Sequence, residues 1–125
     1  MDENILVVAQ AAADAAMAIL NRWGTSSGGF LPVHQVKTTS GTIEQQGWDN
    51  LRVGPNYNNW HSDWVVFKGH ANSDKTGFTV EWVEGDPFQA IKYLESMALF
   101  LTSSDFMNKV RGSVSRMKKL VKALS

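Results

Sequence analysis

The sequence predicts a single-domain α+β fold: an N-terminal helix, a four-stranded antiparallel meander, and two C-terminal helices packed on one sheet face. Three observations predict it. Apolar residues recur at helical spacing over residues 4–23 and again from residue 86 to the end. Between them, from Phe30 to Val83, the period changes to two. The connections between the extended runs are short, which makes successive strands antiparallel neighbours.

The first helix carries Ile5, Ala9, Ala12, Ala13, Ala16, Ile19, Leu20 and Trp23 on one face. Alanine favours helix and lets a neighbour approach closely. The opposite side is also mild, with Val7, Ala11, Ala15 and Ala18, so this helix is a candidate for a second contact face, as in a dimer. Gly24-Thr25-Ser26-Ser27-Gly28-Gly29 reads as a flexible loop. It is not a phosphate loop, because no Gly-Lys-Ser/Thr follows and the order helix-then-strand is reversed.

Four strands are expected. Leu31–Lys37 is the first, with Pro32 placing its start at an edge. Thr42–Gln46 is the second, continuing to Val53 after a bulge or break at Gly47. The third, Trp60–Lys68, follows the turn-rich loop Gly54–Asn59. The fourth, Phe78–Val83, alternates Phe78, Val80 and Trp82 with Thr79, Glu81 and Val83. Trp64 and Trp82 are expected in the core under the helices.

Asp86-Pro87 is a helix start: a capping carboxylate, then a proline whose missing N–H costs nothing at the first helical position. From Phe88 to Leu101 only Gln89, Lys92, Glu95 and Ser96 interrupt the apolar residues. A helix apolar on most sides must be covered on most sides. This segment is therefore expected to be the buried helix around which the chain is organised. Thr102–Asp105 stops it and caps the last helix, whose stripe is Phe106, Val110, Val114, Met117, Leu120, Val121 and Leu124.

With 125 residues, 43% of them hydrophobic, the chain can bury a core without staples. It has no cysteine, which excludes disulfides and thiolate metal sites and fits a reducing, cytoplasmic setting. The acidic start Met-Asp-Glu-Asn is unlike a signal peptide, and no transmembrane segment is expected. The net charge of zero hides an asymmetry: residues 1–105 carry −6 and the last 20 carry +6.

Three sets of residues could carry function. Lys109, Arg111, Arg116, Lys118, Lys119 and Lys122 form a basic arc that could neutralise phosphates, lie on an anionic surface, or be a solvated helix face. Tyr57 and Trp60, beside an Asn-rich loop, are candidates for exposed aromatic contacts with a partner or with bases. His61 and Asp63, two apart on a strand, could pair as an orienting carboxylate and a base, with His34 or Glu81 as a further group and His70 nearby. They lack the spacing of a known catalytic or metal motif, and no cofactor is implied. The expected function is a small non-enzymatic protein-binding domain of the adaptor, chaperone, immunity or phage/plasmid accessory type. It would meet a protein partner or a second copy through the open sheet face or the first helix. The alternatives are nucleic-acid binding through the basic helix and exposed aromatics, and a small hydrolase or nuclease built on His61 and Asp63.

Overall fold

A computed structural model describes residues 3–29, 32–56, 63–74, 76–101 and 104–124. The elements in chain order are α1 (Glu3–Trp23), β1 (Thr25–Ser27), β2 (Val33–Thr38), β3 (Gly41–Gln46), β4 (Asn50–Gly54), β5 (Val65–Ala71), β6 (Phe78–Glu84), α2 (Pro87–Phe100) and α3 (Ser104–Leu124). The class and the order of helix, antiparallel sheet and two helices are as the sequence predicts. The sheet has six strands rather than four, in the simple meander order β1 to β6.

Both extra strands have a local cause. Gly47 sits at φ +66°, a conformation glycine adopts without strain, and of the bulge or break expected there it is the break that forms, a full turn separating β3 from β4. That turn is held from the next hairpin: Ala71 N donates to Trp48 O at 2.7 Å. β1 lies within the Gly/Ser-rich segment expected to be loop, where Thr25, Ser26 and Ser27 pair with Gln35, His34 and Val33. Its side chains are all exposed, so no alternation marks it.

β6 contains a second irregularity. Lys68 pairs with Trp82 but Gly69 pairs with Val80, so Glu81 is an extra residue. The phase flips there. Phe78 and Val83 are both buried, although five apart, and Trp82 is turned outward and exposed. Gly69 is required opposite the bulge, since a Cβ there would lie 1.8 Å from Thr79 O.

Parity also decides Trp64. Val53, Val65, Leu51 and Phe67 line the helix-covered face as cross-strand pairs, which sends Trp64, Val66 and Arg52 to the other face. Trp64 is buried, as expected, but on the side away from the helices. Its indole lies over Gly54, where a Cβ would come within 2.2 Å of the ring, and over the Arg52 guanidinium at 4.6 Å. Arg52 in turn bonds Glu44 directly across β3 and β4, through Nη2 at 2.8 Å and Nε at 3.0 Å.

The helix at the centre of the fold is α1, not the proline-led α2. Val8, Ala9, Ala12, Ala13, Ala16, Met17, Ile19 and Leu20 are all fully buried. α1 packs on β6, β2 and β3, on α2 and on α3, so its alanine-rich sides are contact faces within the protomer. Alanine permits close approach on several sides at once, which explains a helix with little polar surface. By length and hydropathy Asn4–Trp23 is also sufficient to cross a bilayer. In this fold the sheet and two helices bury half of that stretch, and Val7 remains half exposed.

α2 begins as predicted: Asp86 caps it by accepting from Phe88 N at 2.9 Å, with Pro87 in the first turn. It packs on β3, β4 and β5 and on α1 and α3, burying Ala90, Ile91, Leu94, Met97 and Ala98. α3 packs chiefly on α1 and α2, through Val110, Val114 and Met117, and forms an outer layer.

Candidate binding surface

Around α2, the buried residues Pro87, Ala90, Ile91, Leu94, Met97 and Ala98 occupy one arc. At 100° per residue, Leu99 and Phe100 fall on the opposite arc, with Gln89, Lys92 and Ser96. They are accordingly 67% and 56% exposed. The expectation that this whole segment is enclosed is corrected at its last turn. The signal was present in the sequence: Leu99 is seven residues from Lys92 and three from Ser96, and Phe100 is four from Ser96, so both belong to the polar strip.

Leu99 borders a groove of about 240 Å³ between α2 and α3. Its floor holds the buried Ala98 and Val114, and its rim holds Glu95, Arg111, Ser115 and Lys118. Lys118 Nζ bonds Glu95 Oε1 across the two helices. The arc of α3 away from its packing stripe carries the cations to solvent: Arg111, Arg116, Lys118, Lys119 and Lys122 are all exposed. Lys109 lies on the same helix. Apolar surface and dense positive charge thus meet along one edge of the α2–α3 layer.

A larger cleft, of about 410 Å³, lies at the other end of α1, between its last turn and the β3–β4 turn. The registers align Ser26, His34 and Gln45 as one row across β1, β2 and β3, and Asn21 and Trp48 complete the walls. The described lining contains no carboxylate that could orient His34 as a base.

Comparison with protein-family models, with curated proteins and with solved structures found no match.

Tyr57, Trp60 and His61 lie outside the described residues. Asp63, expected on a strand, lies in the turn two residues before β5, whereas His34 is on β2, with β3 and β4 between them. Three interstrand spacings are roughly 14 Å, beyond the reach of a shared proton or metal. Glu81 is directed to a different histidine: its Oε1 lies 3.3 Å from His70 Nδ1, with both side chains largely exposed. Among the described residues no three His, Cys, Asp or Glu side chains converge as metal ligands.

Proposed function

We propose that this chain is a protein-binding domain whose contact surface is the α2–α3 face. The observation that carries this reading is the exposure of two adjacent apolar side chains, Leu99 bordering the helix–helix groove and Phe100 on the outer surface of the same turn. Two adjacent large apolar side chains on the polar arc of an otherwise well-buried helix are what an interface anchor requires. The first helix, also considered as a contact face, is packed inside the protomer along most of its length, with Val7 half exposed.

Site-specific photo-cross-linking tests the proposal. A benzophenone side chain at position 99 is expected to capture a discrete protein in the native host, and the same group at the exposed Thr79 is not. Equal capture at both positions, or none at position 99, overturns the reading.

A second reading, nucleic-acid binding, is favoured by the exposure of Arg111, Arg116, Lys118, Lys119 and Lys122 on one helix. It requires an affinity for DNA or RNA that falls steeply with salt as condensed counterions are released. Fluorescence polarisation with labelled oligonucleotides at low salt decides it, and absence of binding eliminates it.

A further inference from the structure

We infer that the α2–α3 face takes an acidic amphipathic helix of a partner protein. This rests on the protein-binding reading above and adds the chemistry of the partner.

Three features select that occupant. The first is charge. The groove is bordered by Arg111 and Lys118 on α3, and the last 20 residues of the chain contain six cations and no acid. The one carboxylate on the described rim, Glu95, is already engaged by Lys118. An incoming segment therefore needs negative charge to approach, and a basic one is repelled.

The second feature is the apolar part of the surface. A nucleic acid could satisfy the cations, but its phosphates offer nothing to Leu99 and the Val114 floor. A segment bearing apolar anchors and carboxylates together satisfies both.

The third is backbone chemistry. The groove is walled by two α-helices, whose main-chain groups are bonded internally, and it presents no strand edge. A partner segment lying there must satisfy its own N–H and C=O groups, which a helix does. Arg111 and Lys118 are seven residues apart, two helical turns or roughly 10 Å along α3. Carboxylates two turns apart on the partner helix match that spacing, with leucine-like anchors on the adjoining stripe.

The test is fluorescence anisotropy with labelled peptides of about five helical turns. One has leucines at i, i+3, i+4 and i+7 with glutamates elsewhere. The second replaces the glutamates by lysines, the third scrambles the acidic sequence, and a DNA duplex of similar length is the fourth probe. Each is titrated against the full chain, Leu99→Asp, Arg111→Glu and the double variant Arg111→Glu/Lys118→Glu, with circular dichroism as a check of folding.

The acidic amphipathic peptide is expected to bind, weakening about tenfold on Arg111→Glu and further on Leu99→Asp or the double reversal. The basic and scrambled peptides are expected to bind at least tenfold more weakly. Equal binding of acidic and basic peptides, no binding of the acidic one, or indifference to both single variants overturns the inference. Tighter binding of the duplex that Leu99→Asp does not affect assigns the arc to nucleic acid instead. If cross-linking at position 99 captures a protein while the peptide series shows no charge preference, the partner chemistry is wrong and the protein-binding reading stands. If position 99 captures nothing, that reading fails on its own measurement.

Discussion

The side-chain amide of Gln10 is bonded to the main chain of Val80 as a neighbouring strand would be. Gln10 Oε1 accepts from Val80 N at 2.9 Å, and Gln10 Nε2 donates to Phe78 O at 2.8 Å. β6 is the last strand of the sheet, so these two groups face away from β5 and have no strand to pair with. An unpaired edge invites another chain to add to it. One glutamine from the central helix closes the middle of this edge, and Asn21, whose Nδ2 donates to Thr76 O at 2.7 Å, ties the same helix to the β5–β6 hairpin. At the other edge β1 is only three residues long, a poor template for addition.

Gln10→Ala leaves a part-buried donor and acceptor without partners and is expected to lower unfolding stability by about 1–3 kcal/mol. Gln10→Glu separates the two bonds. A carboxylate can still accept from Val80 N, but it faces the Phe78 carbonyl with a like partial charge. The alanine variant is therefore expected to exchange its Val80 amide hydrogen faster than the glutamate variant does. Urea unfolding and amide exchange followed by NMR measure both. Wild-type stability in Gln10→Ala refutes the role given to this pair.

On the outer sheet face, Glu44 and Arg52 form an ion pair whose side chains are only 13% and 11% exposed. Removing one member leaves the other charge buried. Glu44→Ala is expected to cost about 3–5 kcal/mol, and Arg52→Met a comparable amount. Replacing both, as Glu44→Leu with Arg52→Met, is expected to recover most of the loss, because two apolar residues under Trp64 need no charge partner. A double-mutant cycle in urea gives the coupling. Losses that simply add would show the two residues to be energetically independent.

Two glycines are expected to respond to alanine with opposite signs. At Gly69 the new Cβ would meet Thr79 O at 1.8 Å, and that atom belongs to the backbone of the bulged strand. Gly69→Ala is expected to destabilise by about 3 kcal/mol or more, at or beyond the upper end of overpacking costs. At Gly112, exposed within α3, no neighbouring atom lies within 4 Å of the new Cβ. Gly112→Ala is expected to stabilise by about 1 kcal/mol through helix propensity alone. Thermal melts of the two variants should move in opposite directions. Movement in the same direction would contradict the space assigned around one of them.

The β5–β6 hairpin provides a pH-dependent contribution of known sign. The Asp74 carboxylate accepts from Thr76 N at 3.0 Å. Hydrogen bonding to the Thr76 backbone and side chain holds its carboxyl below the usual aspartate range. Its folded-state pKa lies below the unfolded value, so its contribution is present above the unfolded pKa. That contribution is lost as pH falls through the folded pKa. Asp74→Asn is expected to lose part of the acid-side slope of stability, and the Asp74 carbon resonance is expected to titrate below that of a model aspartate. An ordinary titration midpoint would remove the bond from the account.

The fold class and the start of α2 were legible because each rests on local chemistry: a period, a cap, a proline. Strand number was less so. Gly47-Trp48-Asp49 carries none of the usual hairpin pairs such as Asn-Gly, so the sequence leaves a bulge and a break between β3 and β4 equally open. The extra residue at Glu81 is invisible to alternation, which places Trp82 inside with Phe78 and Val80, whereas the bulge turns Trp82 outward and buries Val83 instead. The identity of the central helix was missed for another reason. Long apolar side chains draw attention to α2, but helix centrality here comes from small ones, the alanines of α1 that let sheet and helices close in from several sides. At the candidate surface the basic arc was readable from helical spacing, while Leu99 and Phe100 were lost among the apolar residues of their helix.

A comparison within α2 tests whether those two residues are surface anchors or packing. Leu94 is fully buried, and Leu94→Ala is expected to cost about 2–5 kcal/mol. Leu99 and Phe100 are mostly in water, so the double variant Leu99→Ser/Phe100→Ser is expected to stay within about 0.5 kcal/mol of wild type. It should bind less of the apolar dye ANS, since the exposed patch is gone. Urea midpoints and dye fluorescence on the same three proteins make the comparison direct. A loss in the double variant as large as that of Leu94→Ala would mean that both side chains are packed in solution. The α2–α3 face would then lose its apolar half, and the basic arc alone would be left to account for binding.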